Sequence, residues 1–356
     1  MADITTVESN SGQYQSKKVP IVIVVIGMAG SGKTSFVSAL YHHLTNEKKQ
    51  VYTINLDPAV LSCPYPVNIN IKSTFNYKKI MNDYGLGPNG AIMTCLSLFA
   101  VKFDQVLNIL ESKSDIDYVI LDTPGQIEVF NWSASGSIIL EGLSISFPTI
   151  VAYVVDTVRS QKPVTFMSNM LYSCSVMYRC KLPFILIFNK IDVTDHLLCT
   201  KWMKDYDLFS DSVLSNDDSY MASLSRSSAL ALYEFYNFLR DLKFVGVSSF
   251  LGTGMKSFLE KLDEATKEFE TQYKKWINDR REAIKKQREN EKLQKWNEIS
   301  NIFKSDGVEL NRDAQTPCIP EHLVEGFEES NESEDLSEID QIEQVMLNPK
   351  GRLNFV

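Results

Sequence analysis

The feature that most limits the fold is an apolar run that ends in a glycine-rich loop. The segment VPIVIVVIG (19–27) is apolar and mostly β-branched, and GMAGSGKT (27–34) follows it directly. A continuous apolar run predicts a strand that is covered on both faces, as in parallel sheets. The loop matches G-x-x-x-x-G-K-[ST], and the segment after it has a helical pattern. The order strand, loop, helix therefore predicts a phosphate-binding P-loop.

The residues of this loop have distinct expected roles. Backbone N–H groups must point inward at phosphate oxygens, which favours glycine, and the N-terminus of the following helix adds a favourable dipole. Lys33 is expected to reach the β- and γ-phosphates, and Thr34 is expected to ligate Mg²⁺. The predicted nucleotide contacts are Gly27, Met28, Ala29, Gly30, Ser31, Gly32, Lys33 and Thr34.

Further apolar runs alternate with helical patterns along the chain. This alternation predicts an α/β P-loop NTPase fold, a mainly parallel sheet with helices on both faces. The predicted strands after the first lie at 50–57, 115–122, 149–156, 183–189 and 243–249. Asp57, Asp122, Asp156 and Asn189 lie at the ends of four of them. Because open α/β sheets bind ligands at the carboxyl ends of their strands, we expect these polar groups to surround the ligand.

The run at 115–122 leads into DTPGQ (122–126). Asp122 stands where a Walker B carboxylate holds Mg²⁺, often through water, and Gly125 can turn its N–H toward a γ-phosphate. Gln126 follows at the position from which a glutamine orients the attacking water in small GTPases. A plain turn after a strand is the alternative interpretation.

The run at 183–189 ends in the N-K-x-D pattern formed by Asn189, Lys190 and Asp192. Asp192 can accept hydrogen bonds from the N1–H and 2-amino groups of guanine, which adenine does not offer. A charged acceptor left unpaired costs about 1.5–3 kcal/mol or more, so the pattern predicts GTP over ATP. Ser248 and Ser249 are expected to support the base through their backbone. An ATPase or kinase with a coincidental N-K-x-D is the alternative.

Composition limits the other functions. A net charge of -9 argues against direct nucleic-acid binding, because a general binder needs a basic face. The six cysteines contain no C-x-x-C pair and there are only four histidines, which predicts neither a disulfide framework nor a zinc site. The polar start MADITTVESN and the lack of an 18-residue apolar run predict a soluble, intracellular protein with no membrane contact.

We predict a domain organisation in three parts. Residues 1–19 form a flexible arm and 20–304 the nucleotide-binding domain, and 305–356 form a disordered tail, in which 321–346 carries ten acidic and no basic residues. Within the domain we expect the following features: helices at 73–84 and 91–112, a serine-rich helical insertion at 195–240, and one long helix or a helix pair from Met255 to about Phe303. The stretch RREAIKKQR (280–288) is a solvated helix face or a targeting signal.

The stretch DYGLGPNGAIMTC (83–95) clusters Gly87, Pro88 and Asn89. From spacing alone it can be a plain turn, since Pro fixes φ and both Asn and Gly tolerate positive φ. However, NLDPA (55–59), YGLGPNG (84–90), DTPGQIE (122–128) and NKID (189–192) occur in this order after the P-loop. On these motifs the chain resembles the GPN-loop GTPases over roughly residues 20–300.

The resemblance implies a dimer whose GPN loop, residues 87–89, reaches toward the partner's nucleotide. Asn89 would then stabilise charge or fix a water near the phosphates of the other subunit. Asp57 is implied to lie near Mg²⁺ or the attacking water, with a turn or helix cap before Pro58 as its alternative, and Glu128 is a weaker candidate. Because no arginine adjoins the motifs in sequence, Asn89 is expected to act in place of an arginine finger.

The resemblance also implies the cofactors GTP or GDP with Mg²⁺, and a switch that acts in RNA polymerase II assembly and nuclear import. Its implied partners are a GPN-loop paralogue or a second copy, and RNA polymerase II subunits or assembly factors. Its implied location is the cytoplasm, with shuttling to the nucleus. The choice between homodimer and heterodimer, the client site and the role of the tail stay open.

Two other function classes are weighed against the GTPase. A scaffold that holds GTP as a structural ligand need not keep the water-positioning and phosphate groups Lys33, Asp122 and Gln126. A metallochaperone NTPase needs clustered Cys and His, which the sequence lacks.

Overall fold

The computed structural model describes residues 19–113, 115–214 and 242–276, with 220, 223–225, 227–228, 230, 279, 282, 285–287 and 290 between or after them. These residues fall into two units, one ending at Phe269 and one beginning at Glu270. Residues 1–18 of the predicted arm and the whole predicted tail lie outside the described residues.

A single parallel sheet forms the centre of the first unit. Its strands are β1 Ile21–Gly27, β2 Val51–Asn55, β3 Ile69–Asn70, β4 Tyr118–Asp122, β5 Thr149–Asp156, β6 Phe184–Asn189 and β7 Lys243–Gly246. They lie in the order β3-β2-β4-β1-β5-β6-β7, and every neighbouring pair is parallel. All six predicted strands are confirmed, and the short β3 is an addition. Strand β1 lies between β4 and β5, so the P-loop leaves the sheet at its centre.

Helices cover both faces of this sheet. They are α1 Lys33–Asn46, α2 Ile71–Thr74, α3 Tyr77–Asp83, α4 Pro88–Ala100, α5 Phe103–Ser112, α6 Ile127–Asn131, α7 Ala134–Ser146, α8 Pro163–Cys180, α9 Leu197–Lys204, α10 Tyr206–Leu214 and α11 Met255–Glu268. On one face α1 and α11 share a core in which the rings of Phe36 and Phe258 meet edge to face at 5.2 Å. Val24 and Tyr153 alternate along their strands with the residues of that core, so they point to the opposite face. Both are fully buried, and α7 packs against β5. The predicted two-sided α/β fold is therefore confirmed.

Two of the predicted helices have different limits. The helix predicted at 91–112 is two helices, α4 and α5, because the chain turns at Val101 and Lys102. Helix α4 also begins earlier, at Pro88, since proline is favoured at the first helical position and Gly87 can serve as the N-cap residue. The segment 87–89 is thus the start of a helix rather than a free loop. The helix predicted at 73–84 is split, and α3 begins behind Asn76, whose side chain accepts a hydrogen bond from the Lys79 N–H.

In the described ranges, no single helix combines the length and hydropathy needed to cross a membrane. Helices α4 and α5 reach that composition only as a pair, across a bend of 53°. No disulfide joins the described cysteines.

The predicted insertion at 195–240 begins with α9 and α10. Trp202 and Phe209 pack edge to face at 5.9 Å, and both rings contact Phe166 of α8. This aromatic cluster docks the start of the insertion on the body of the first unit, and most of 215–241 lies outside the described residues. The helix or helix pair predicted from Met255 to about Phe303 begins as α11, and most of the predicted range after 276 lies outside the described residues. In the second unit, residues 274–276 are helical, and the rings of Tyr273 and Trp276 stack at 5.9 Å.

Candidate nucleotide site

The P-loop is shaped by close backbone approach. A Cβ atom on Gly27 would lie 2.4 Å from the Val154 carbonyl oxygen of β5, so only glycine fits there. Gly32 has a φ of +89°, in the left-handed region that L side chains rarely adopt. The Ser31 N–H donates to the Met28 carbonyl at 3.2 Å, which closes the loop into a turn ahead of α1. The eight residues predicted to contact the nucleotide therefore run from the end of β1 through this turn into the first two residues of α1.

Asn189 joins this loop to the predicted guanine-selecting motif. Its Nδ2 donates to the Ser31 carbonyl at 2.9 Å, and its Oδ1 accepts from the N–H and the hydroxyl of Ser249 at 3.1 and 2.8 Å. A Cβ atom on Gly32 would lie 2.4 Å from the same Nδ2. Asn189 therefore acts as a structural joint that holds two parts of the site together, and its amide is fully used.

Lys190 makes a second link between the same parts. Its Nζ donates to the Gly30 carbonyl at 2.9 Å and to Asp156 Oδ2 at 2.7 Å. Asp156 ends β5 and its side chain is only 9% exposed, so the lysine offsets the cost of burying this carboxylate. The sequence placed Asp156 at a strand end, and the structure shows that it supports Lys190 from there.

Asp192 is oriented by the side chain of Ser248. The Ser248 hydroxyl donates to Asp192 Oδ1 at 2.5 Å and accepts a hydrogen bond from the Leu251 N–H at 3.1 Å. The N–H of this buried residue donates to the Thr253 carbonyl at 3.0 Å, so the hydroxyl is the group of Ser248 that contacts Asp192. Support of the base by the Ser248 backbone stays a prediction.

Two carboxylates lie near enough to Lys33 for their charges to act on it. Lys33 is buried and its Nζ donates to the Met28 carbonyl at 3.1 Å. Burial lowers the pKa of Lys33, and the charges of Asp122 and Asp57 act in the opposite direction. Burial raises the pKa of Asp122 to about 6, although Thr34, Tyr65 and Lys33 all act to lower it. The two aspartates predicted at the metal site and the P-loop lysine are thus brought together.

Asp57 forms the turn that was its alternative interpretation, and its role near Mg²⁺ or the attacking water stays a prediction. Its Oδ1 accepts a hydrogen bond from the Ala59 N–H at 2.9 Å, which closes a turn around Pro58. Burial raises its pKa, while the Ala59 N–H, the Lys33 charge and the Gly125 N–H lower it. Asp57 is therefore fixed by its own turn and also faces Lys33.

The oxygen atoms in this region fit a magnesium ion. Asp122 Oδ2 accepts a hydrogen bond from the Tyr65 hydroxyl at 3.0 Å, whereas Oδ1 is buried and has no hydrogen-bond partner in the described part of the chain. The Thr34 hydroxyl lies beside this carboxylate. Among the described residues no group of three or more Cys, His, Asp or Glu could hold a metal. A site of one or two carboxylates completed by substrate phosphates is the pattern typical of Mg²⁺.

The DTPGQ segment lies over the P-loop. A Cβ atom on Gly125 would lie 3.8 Å from the Ala29 Cβ, so the two motifs meet in space. Gln126 follows as the half-buried N-cap residue of α6, and its side chain makes no capping hydrogen bond. Glu128 is exposed, and its role near the metal or the attacking water stays a prediction.

Asn89 and Arg159 show what the sequence could not locate. Asn89 is exposed in the first turn of α4, and no described contact joins it to the P-loop of its own chain. An arginine does lie near the motifs, contrary to expectation: Nη2 of Arg159 is 3.6 Å from the position that a Cβ on Gly30 would occupy. Its Nε is also 3.6 Å from Asp156 Oδ2. Arg159 is distant from the P-loop in sequence and reaches it only because β5 pairs with β1.

Comparison with known proteins places this site in a family. A family model described as "Conserved hypothetical ATP binding protein" matches residues 25–268. The chain is 53% identical over 272 residues to "GPN-loop GTPase 1" of Dictyostelium discoideum, an alignment that covers 76% of this chain and 67% of that protein. It is 46% identical over 306 residues to "GPN-loop GTPase 1" of Schizosaccharomyces pombe, covering 83% of this chain and 82% of that protein.

Among solved structures, the chain is similar to a GTPase from Pyrococcus abyssi in its apo form. The TM-score is 0.59 at 26% sequence identity, and the match covers 69% of this chain and 97% of that one.

Proposed function

The chain belongs to the GPN-loop GTPase family, and we propose that it works as a magnesium-dependent, dimeric switch driven by GTP. As a member of this family with a P-loop GTPase fold, it binds GTP and hydrolyses it to GDP and phosphate. The observation that carries the proposal is the hydrogen bond from the Asn189 amide to the Ser31 carbonyl at 2.9 Å. It joins the phosphate loop directly to the guanine-selecting motif.

Nucleotide binding follows from the two sides of this site. The N–H groups of the loop and the Lys33 ammonium meet the phosphates, and the dipole of α1 adds to their attraction. Asp192, oriented by Ser248, accepts the N1–H and 2-amino hydrogens of guanine. An adenine ring would leave this carboxylate unpaired and place its 6-amino donor where guanine has a carbonyl acceptor, so we propose a strong preference for GTP.

Magnesium would be held by Asp122 and Thr34, with Asp57 nearby. When bound, Mg²⁺ neutralises charge on the phosphate oxygens and fixes their geometry. The residues of this chain do the remaining work. Lys33 stabilises negative charge on the transferred phosphoryl group. The desolvation that lowers the pKa of Lys33 also strengthens this electrostatic interaction.

Water attack would be arranged by Asp57 and Gln126. Asp57 is fixed by its turn beside Lys33, and Gln126 follows the glycine that touches the P-loop. Both can orient a water by hydrogen bonds. We assign neither the role of a full general base, because phosphoryl transfer depends mainly on positioning and charge stabilisation.

We propose that Asn89 acts on the nucleotide of a partner subunit. It is exposed on the rigid first turn of α4, where Pro88 limits the backbone, so placing its amide costs little entropy. The partner is a second copy or a GPN-loop paralogue. The change between GTP and GDP states would then alter the dimer and its hold on clients, which we propose to be RNA polymerase II subunits or their assembly factors, met in the cytoplasm before nuclear import.

Single-turnover hydrolysis of radiolabelled GTP tests the catalytic proposal. We expect cleavage by the purified dimer with Mg²⁺, strong loss for Gln126→Leu and Asp57→Ala, and retained nucleotide binding in both variants. Ser35→Ala, on the exposed side of α1, is a matched control that should behave as wild type. A dimer that binds GTP for hours without cleavage, and in which Gln126→Leu changes nothing, would establish the scaffold function instead.

Capture of native partners tests the switch. We expect a GTP-locked and a GDP-bound form of the full chain to retain different proteins from a cell extract, with polymerase subunits or assembly factors in one set only. Identical sets from both forms would reject the switch while leaving GTP hydrolysis intact.

A further inference from the structure

The hydrogen bond between Tyr65 and Asp122 is a feature of the site that no motif includes. Tyr65 belongs to the connection between β2 and β3, and it is only 5% exposed. Its hydroxyl donates to Asp122 Oδ2 at 3.0 Å. Asp122 is itself 2% exposed and carries the partnerless Oδ1 described above.

The backbone around Tyr65 is held on both sides. Pro64 and Pro66 flank it and restrict φ at two neighbouring positions. The Pro64 carbonyl accepts a hydrogen bond from the Ser38 hydroxyl of α1 at 3.2 Å, and the Pro66 carbonyl accepts one from the Thr53 hydroxyl of β2. The Tyr65 ring packs in the same core cluster as α1. These contacts of the flanking backbone and ring hold the hydroxyl toward Asp122.

This arrangement decides how the carboxylate is presented. Since Tyr65 occupies Oδ2, rotation of the carboxylate about its χ2 angle would break a buried hydrogen bond to a charged group, which is unfavourable. Oδ1 is then the oxygen that remains for a ligand, on a carboxylate that also lies beside Thr34. Partners that orient a metal ligand in this way commonly change metal affinity by 10- to 100-fold when removed.

We propose that Tyr65 is a positioning residue, which fixes the Asp122 carboxylate so that Oδ1 receives the magnesium of the bound nucleotide. The inference rests on the proposed magnesium-dependent function. The same hydrogen bond connects the segment between β2 and β3 with the end of β4.

Tyr153 provides a matched control for the test. It is also fully buried, on β5, but its hydroxyl has no hydrogen-bond partner in the described part of the chain. Tyr65→Phe and Tyr153→Phe each delete one buried hydroxyl and keep the aromatic ring. Only the first removes a bond to Asp122.

The experiment titrates Mn²⁺ into the full-length protein loaded with GDP and follows free Mn²⁺ by electron paramagnetic resonance. We expect Tyr65→Phe to weaken Mn²⁺ binding roughly 10-fold. Its affinity for GDP in EDTA should equal that of wild type, because the phosphate loop and Asp192 are untouched. Tyr153→Phe should match wild type in both measurements. Thermal unfolding of each variant confirms that the fold is kept.

The outcomes separate the inference from the function on which it rests. If wild type binds no Mn²⁺ with GDP, the magnesium-dependent function itself fails. If wild type binds Mn²⁺ and Tyr65→Phe binds it equally well, only the positioning role of Tyr65 is overturned. A Tyr65→Phe variant that loses GDP affinity in EDTA to the same extent as Mn²⁺ affinity also overturns it, because the hydroxyl would then support the loop in general.

Discussion

The Ser248 hydroxyl allows base recognition to be tested separately from phosphate binding. In Ser248→Ala, Asp192 loses the hydrogen bond of 2.5 Å that orients its carboxylate. A hydrogen bond to a charged group contributes about 1.5–3 kcal/mol when it is buried. Asp192 is exposed, so water replaces part of this bond and its loss should cost less than that range, about 0.7–1.4 kcal/mol. Since about 1.4 kcal/mol is a factor of ten, we expect GTP affinity to fall three- to tenfold.

The assay compares GTP with ITP, whose base lacks the 2-amino group. In wild type, Asp192 should bind GTP more tightly than ITP because it accepts two hydrogens from guanine and one from hypoxanthine. A carboxylate that is free to rotate gains less from the second hydrogen. We therefore expect the ratio of GTP affinity to ITP affinity to shrink in Ser248→Ala, measured by displacement of a fluorescent guanine nucleotide.

Ser249→Ala is the matched control for this assay. The Ser249 hydroxyl donates to Asn189 Oδ1 at 2.8 Å and not to Asp192. Its removal should lower the affinity for GTP and ITP by the same factor and leave their ratio unchanged. If the ratio in Ser248→Ala equals that of wild type, the reasoning that Ser248 orients the base-selecting carboxylate is refuted.

Three further changes test other parts of the site. Gly32→Ala should displace the Asn189 amide, which would lie 2.4 Å from the new Cβ, and should also strain a residue at φ +89°. We expect GTP binding measured by calorimetry to be at least tenfold weaker. Wild-type affinity would contradict the role of Asn189 as the link between the P-loop and the N-K-x-D motif. Asp122→Asn should stabilise the protein in EDTA above pH 6. The folded pKa of Asp122, about 6, is raised from 3.8, so this group favours folding at low pH and loses that contribution as pH rises. The gain should approach about 3 kcal/mol near pH 8 and vanish below pH 4, so a gain that does not depend on pH would be contrary evidence. Asn89→Ala should slow hydrolysis at least tenfold without weakening nucleotide binding, and a wild-type rate at concentrations that give the dimer would remove its role across the interface.

Much of the site could be predicted because its chemistry depends on short local patterns. The P-loop needs glycine where the backbone approaches β5 or turns with positive φ, and those needs appear in eight consecutive residues. The N-K-x-D pattern is equally local. The strands were located since buried parallel strands are continuously apolar, and all six predicted strands are present in the sheet.

The remaining features depend on contacts between segments that are far apart in sequence. The hydrogen bond from the Ser248 hydroxyl to Asp192 joins residues 56 positions apart, and no local pattern reveals it. Arg159 reaches the site from the segment after β5, and Tyr65 reaches it from the segment between β2 and β3. Neither residue belongs to a motif with a fixed sequence spacing. The start of α4 at Pro88 was missed for another reason: Gly-Pro-Asn-Gly is compatible with a turn, and only the following helical residues favour proline as a first helical position.

The order of the strands explains why the two ends of the site have separate chemistry. Asp122 ends β4 and Asn189 ends β6, while β1 and β5 lie between them. With neighbouring strands about 4.8 Å apart, the magnesium carboxylate and the guanine-selecting motif are separated by roughly 14 Å across the sheet. The P-loop lies between them, so an extended nucleoside triphosphate can bridge the two ends only with its phosphates over β1. Changes at Ser248 should therefore alter the choice of base, changes at Tyr65 should alter the response to metal, and a double variant should show additive losses because the two side chains share no contact.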